Sequence, residues 1–140
     1  MVGARELSSY GISAVRAIIP ELVRAGCTIV SGGALGTDAE AHEVAVGARG
    51  HTIAVLGSGL DLLYPSANKR LFARILESGG ALVSEFPLGT QAAPYTFPVR
   101  NQTIALMSRG TLVIEARERS GSLITAQAAI EAGRDVFAIP

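Results

Sequence analysis

Five short runs of β-branched and aliphatic residues, each separated from the next by a helical pattern, constrain this chain more than any other feature. They are Thr28-Ile29-Val30, Thr52-Ile53-Ala54-Val55-Leu56, Ala81-Leu82-Val83, Thr111-Leu112-Val113-Ile114 and Val136-Phe137-Ala138-Ile139. Each run is almost continuously apolar rather than alternating, the pattern of parallel strands covered on both faces. Their starts lie about 24 to 30 residues apart, the length of one strand–helix unit. Helices are expected near residues 11–25, 38–48, 67–78, 99–109 and 122–132. The repeat implies an open α/β fold with a mainly parallel sheet, right-handed crossovers and helices on both faces.

Local signals sharpen the boundaries. Val15, Ile18, Ile19, Leu22 and Val23 recur with a period near 3.6, and Pro20 among them is expected to kink or split the first helix. Gly26, Gly79-Gly80 and Gly133 are natural helix stops. Asp38 is placed to cap the second helix, and Ser120 or Ser122 the last.

Composition narrows the class. The chain has 140 residues, roughly one domain's length, and its 49% hydrophobic and 17% charged residues exclude disorder. Lys+Arg and Asp+Glu stand at 12 each, so the formal net charge is zero. A protein gripping nucleic acid over its whole surface needs an excess of cations, which leaves only a local patch available for that purpose. The single cysteine, Cys27, excludes an internal disulfide and a Cys-based zinc cluster, and its place beside a strand reads as a buried hydrophobe. Arg5 and Glu6 interrupt any signal peptide. The longest uncharged run, Phe86 to Val99, has 14 residues with three prolines, short of the roughly 18 to 20 that a membrane span needs. The expectation is one cytoplasmic domain over 1–140, cut from a longer protein at both ends, because only Met1 and Val2 precede Gly3 where a first strand belongs.

In an open parallel sheet, ligands bind beyond the C-terminal ends of the strands. Three glycine-containing loops fall there: Gly3-Ala4-Arg5, Ser31-Gly32-Gly33-Ala34-Leu35-Gly36-Thr37-Asp38, and Gly57-Ser58-Gly59-Leu60-Asp61. Any one of them is equally explained by a tight turn. Three at one edge favour phosphate binding by backbone N–H groups and helix N-termini. The second loop is neither a dinucleotide fingerprint nor a P-loop. Arg5 and Lys69 are the cations best placed to face this edge, and Phe72 lies one turn after Lys69, where it either stacks on a base or packs in the core. Asp38 and His42 share a helical face, an arrangement that fits acid–base work or plain capping equally well. No nucleophile–base set and no metal-ligand cluster stands out, so the residues support neither catalysis nor a cofactor.

Taken in order, these segments resemble the DNA-processing protein A family (DprA, also called Smf). The resemblance rests on Val2-Gly3-Ala4-Arg5, Ser8-Ser9-Tyr10-Gly11, Ile29 through Asp38, Ala41-His42, Thr52 through Asp61 and Tyr64-Pro65-Ser66-Ala67-Asn68. It continues through Ser84-Glu85-Phe86-Pro87, Phe97-Pro98-Val99-Arg100-Asn101 and Ser120-Gly121-Ser122-Leu123-Ile124-Thr125-Ala126. It implies an extended Rossmann-like three-layer sandwich that binds single-stranded DNA, protects it and helps load the RecA recombinase during natural transformation. It also implies a homodimer. The family's DNA pocket maps onto Arg5, Asn68, Lys69, Phe72, Arg100 and Asn101, with Gly32, Gly33, Gly57 and Gly59 around the backbone phosphates. Gln102 stands where the family usually has an arginine, one cation fewer at that edge. The competing enzymatic reading is a nucleotide-cleaving hydrolase of the lysine-decarboxylase-like fold, whose Gly-Gly-x-Gly-Thr-x-x-Glu motif is one residue shorter than Gly32 through Glu40.

Overall fold

Strands and helices alternate from end to end in the computed structural model, which describes residues 1–118 and 120–140. The elements are α1 (Ser9–Arg24), β1 (Ile29–Ser31), α2 (Thr37–Gly47), β2 (Thr52–Val55), a 3-10 turn (Ser66–Asn68), α3 (Lys69–Glu77), β3 (Ala81–Val83), α4 (Thr96–Met107), β4 (Gly110–Val113), α5 (Gly121–Glu131) and β5 (Asp135–Ala138). β1, β2 and β3 pair in parallel, in that order, and β4 pairs in parallel with β5. Met1 and Val2 join the two groups. The Val2 N–H donates to Leu112 O and Val2 O accepts from the Ile114 N–H, both at 3.0 Å. On the other side, the Met1 nitrogen donates to Val30 O and Met1 O accepts from Ser31 Oγ, each at 2.6 Å. The lateral order is therefore β3, β2, β1, Met1–Val2, β4, β5, with the strand order reversing beside Val2.

Residue alternation along the strands divides the interior between two helical layers. On one side Ile29 and Ile114 pack with Val15 and Ile19 of α1 and Ala41 and Ala45 of α2, and next to them Ala54 and Leu56 pack with Leu71, Phe72 and Ile75 of α3. On the other side Val2, Val30, Val55 and Val113 meet Ile104 of α4 and Ala126 of α5. This is the three-layer, mainly parallel sandwich expected.

Four helices close with the same device. After α1, the Gly26 N–H bonds Val23 O and the Cys27 N–H bonds Leu22 O, with Gly26 at φ +79°. Gly79 and Gly133 take the equivalent place after α3 and α5, and Arg49 takes it after α2 at φ +59°. That motif also overturns the buried reading of Cys27. The residue belongs to the helix-closing turn, ahead of β1, and its side chain is exposed.

Other local expectations are corrected by tertiary contacts. α1 runs from Ser9 to Arg24 without being split at Pro20, its Val15 and Ile19 buried against Ala41 and Ala45 of α2. Asp38 does not cap α2, because the cap position is Gly36 and the carboxylate turns back to accept from the Gly32 and Ala34 N–H groups at 3.1 and 3.3 Å. Ser120 holds the cap position of α5 without a side-chain cap, its hydroxyl lying 3.2 Å from that of Ser122.

Candidate nucleic-acid interface

The reversal of strand order beside Val2 opens a crevice above the C-terminal ends of Val2 and β4, where a doubly wound sheet places its ligand. Two hollows lie there. One is a cavity of about 360 Å³ between the Gly3–Arg5 loop, α4 and the start of α5, reaching Asp38, Asn101, Arg117 and Ser122. The other is a shallow groove of about 50 Å³ running over Leu35, Tyr64 and Pro65. Arg5, Phe97 and Arg100 border both.

Close packing of the loops sets Arg5 in place. The Thr37 N–H and hydroxyl both donate to Ala4 O, at 3.0 and 3.1 Å. Gly36 adopts φ +78° with its α-carbon against the Ala4 and Arg5 carbonyls, where a Cβ has no room. The exposed Arg5 guanidinium then stands 5.5 Å from the centre of the Phe97 ring. Arg100 approaches that ring to 5.6 Å, and Tyr64 adds a second, tilted ring 6.0 Å away. Half-buried Phe97 and exposed Tyr64 thus form an apolar shelf beside a cation, the arrangement on which bases stack while a guanidinium meets the phosphate.

Arg100 does different work from Arg5. It is only 7% exposed, and its Nη1 donates to Gly32 O at 2.5 Å and Val55 O at 3.1 Å, while Nε donates to Asn101 Oδ1 at 2.9 Å. Burial, above all, pushes its pKa down, partly offset by nearby Asp38. Arg100 is a strut between the ends of β1 and β2. Asn101 extends it, donating to Gly121 O at 3.1 Å and so tying α4 to the start of α5.

The remaining sequence-derived site residues divide by what they touch. Asn68 is buried and donates to Gly33 O at 2.8 Å and Ala34 O at 3.3 Å, which fixes the start of α3 to the second glycine loop. Lys69 follows as the first, exposed residue of α3, a helix end where positive charge is electrostatically unfavourable. Among the described residues, no carboxylate comes within salt-bridge distance of Arg5 or Lys69, whereas Arg16, Arg24 and Arg74 are paired with Glu40, Glu21 and Glu43. Zero net charge thus coexists with unpaired cations at this edge, Arg5 lining both hollows and Lys69 neither.

Phe72 is overturned as a stacking residue in this conformation. Its side chain is fully buried with Leu71 and Ile75, and its ring fills the space a Cβ on Gly33 would need, 2.6 Å away. The glycines change role as well. The Gly32 N–H is committed to Asp38 and the Gly59 N–H to Thr90 O, so neither is free for a phosphate. Gly57 lies beneath the Phe97 ring, where a Cβ would sit 3.0 Å from it. Gly33 and Gly57 admit close packing under the site, while Gly32 also lines the groove with its N–H turned to Asp38.

Sequence reasoning passed over Phe97 and Tyr64. The available signal was position: both precede a proline at the ligand-binding edge, whereas Phe72 falls three residues before Ile75 on an amphipathic helix. The Asp38–His42 pair does not form an acid–base site. His42 points into the core, Nδ1 2.7 Å from Thr52 Oγ1, and burial above all pushes its pKa down to about 3. Among the described residues, no group of three or more His, Cys, Asp and Glu side chains is arranged to hold a metal. No described helix is long and apolar enough to cross a membrane.

A doubly wound sandwich with an aromatic and cationic crevice at its strand reversal is the class of protein defined so far. The model of the family described as DNA recombination-mediator protein A matches residues 1–140, and the chain belongs to that family. It is 50% identical over 140 residues to protein Smf of Escherichia coli (strain K12), covering all of this chain and 37% of that protein. It is 47% identical to the DNA processing protein DprA of Streptococcus pneumoniae, covering all of this chain and 49% of that one. The chain thus spans half or less of the length of these curated relatives. The X-ray structure of the S. pneumoniae DprA superposes with a TM-score of 0.90 at 48% identity, over 99% of this chain and 48% of that one. A structure of the Helicobacter pylori DNA processing protein A, which addresses the single-stranded DNA binding mode of that protein, superposes with a TM-score of 0.91 at 29% identity. It matches 99% of this chain and 63% of its own.

Proposed function

We propose that this chain is a single-stranded DNA-binding module, with the strand laid along the groove of Leu35, Tyr64 and Phe97 and its phosphates met by Arg5 and Lys69. The observation that carries this reading is the Phe97–Tyr64 shelf flanked by the unpaired Arg5 guanidinium. Bases with exposed faces stack on such a shelf, and a duplex, whose bases are already stacked, cannot. The likeness to a protein studied for its single-stranded DNA binding mode supports the same reading. In the whole protein, the module protects the strand and helps transfer it to the RecA recombinase in recombination and natural transformation. It also pairs with a second copy, for which exposed Leu106, Leu123 and Ile130 on α4 and α5 offer an apolar face. The 140 residues act as one binding module without catalysis.

Fluorescence anisotropy of a labelled oligothymidylate, titrated at several salt concentrations, tests the reading. Single strands are expected to bind at least tenfold tighter than duplex. Arg5→Ala with Lys69→Ala is expected to weaken binding and flatten the log–log salt slope by about 1.4, roughly 0.7 for each phosphate no longer neutralised. Unchanged affinity and slope in that double variant would remove the assignment.

A further inference from the structure

The cavity at the strand reversal is chemically two-ended, and the strand path along the groove does not use its depth. At one end lies the start of α5. The Gly121 N–H makes no hydrogen bond among the described residues, and no side chain caps this helix. Arg117 lines the cavity here, held only loosely by Glu6 at 3.5 Å with both side chains exposed, while the Arg5 guanidinium lies toward Phe97, 5.5 Å from its ring. A free backbone donor, a helix dipole and a neighbouring cation together suit a phosphate.

At the other end lies Asp38, 8% exposed and lining the cavity. Its Oδ2 accepts from the Gly32 and Ala34 N–H groups, while Oδ1 has no hydrogen-bond partner among the described residues. A buried carboxylate with a spare oxygen repels a second phosphate and accepts hydroxyl or amino protons. At about 360 Å³ the cavity is at the small end of ligand sites, room for one nucleotide and not two.

We propose that this cavity binds a single nucleoside 5′-monophosphate, its phosphate on the Gly121 N–H beside Arg117 and its sugar or base donors on Asp38. The occupant is either a free mononucleotide or the 5′-phosphorylated end of a strand. The two share the same chemistry.

Calorimetric titration of the chain with dAMP tests this, with deoxyadenosine and inorganic phosphate as partial probes. One-to-one binding of dAMP is expected, at least roughly tenfold tighter than deoxyadenosine, since the charge-assisted hydrogen bonds are absent without the phosphate. Gly121→Pro deletes the free N–H without disturbing the helix. Proline is favoured at a first helical position, and Ser120 already holds the extended φ −78°, ψ 156° that must precede it. A Cβ at position 121 would stand 3.3 Å from its nearest neighbour, Asn101 Nδ2, a tight contact relieved by a shift of a few tenths of an ångström in that side chain, so a melting curve accompanies the titration. This variant is expected to lose roughly tenfold in dAMP affinity, and Arg117→Ala roughly threefold or more, with oligothymidylate binding through the groove retained in both. Tighter binding of 5′-phosphorylated than 5′-hydroxyl oligothymidylate would identify the strand end as occupant, and equal binding the free nucleotide. No dAMP binding at millimolar concentration, or dAMP affinity unchanged in Gly121→Pro, overturns the proposal. Loss of dAMP binding in Phe97→Ala and Tyr64→Ala alone, with Gly121→Pro unaffected, would return the ligand to the groove. The result is independent of whether the groove binds DNA, because strand affinity is read separately in each variant.

Discussion

Replacing Arg100 by methionine separates the two roles an arginine can have at this edge. The guanidinium donates to Gly32 O, Val55 O and Asn101 Oδ1, and it sits beside the Asp38 carboxylate in a site almost closed to solvent. Methionine fills similar volume but donates nothing. Two buried carbonyls lose a partner, at about 1 to 2 kcal/mol each, and Asp38 loses its buried neighbouring charge. The sum is roughly 3 to 4 kcal/mol, a large share of a total stability on the order of 10 kcal/mol. Urea denaturation at neutral pH should show it as a lower midpoint at nearly constant m, and thermal melting as a fall of roughly 10 °C. Strand affinity, measured well below the melting range, should keep its salt slope, because a guanidinium occupied by carbonyls neutralises no phosphate. A variant as stable as the parent, with its salt slope reduced by about 0.7, would refute the strut and return Arg100 to the DNA-binding surface.

Two further outcomes test the packing beneath the site. Gly33→Ala forces a Cβ onto the Phe72 ring at φ +67°, and denaturation should show a loss of about 2 kcal/mol, whereas Tyr64→Ala on the exposed shelf should lower strand affinity with stability nearly unchanged. His42 is neutral in the fold and protonates near pH 6.5 when unfolded, so the unfolded state takes up more protons between pH 6.5 and about 3. Stability should therefore be full above pH 6.5 and fall as pH drops, by roughly 2 kcal/mol at pH 5. A flat denaturation midpoint between pH 7 and 5 would contradict a buried neutral histidine.

The sheet was legible in the sequence because a parallel strand buried on both faces is written as an uninterrupted apolar run. Ile29-Val30 and Thr52 through Val55 announce themselves without any partner in view. Gly26, Gly79 and Gly133 were equally legible, since the turns that close α1, α3 and α5 each take a left-handed residue. What could not be read is whatever depends on partners distant along the chain. Arg100 looks like a surface cation until Gly32 and Val55, 68 and 45 residues away, are brought to it. Asp38 has the spacing of a cap and instead spans its own loop, because Gly36 occupies the turn. Phe72 and Phe97 are alike in composition. Only the closing of the sheet edge turns one inward to Gly33 and leaves the other within 6 Å of two guanidiniums.

The most direct measurement is a backbone-amide NMR titration with a short oligothymidylate. The largest shifts should fall at Arg5, Leu35, Tyr64, Lys69 and Phe97, on one edge of the sheet, while α1 and the opposite strand ends stay still. Shifts scattered over the whole surface, or confined to residues remote from that edge, would contradict a charge-balanced protein that binds single-stranded DNA through one local shelf.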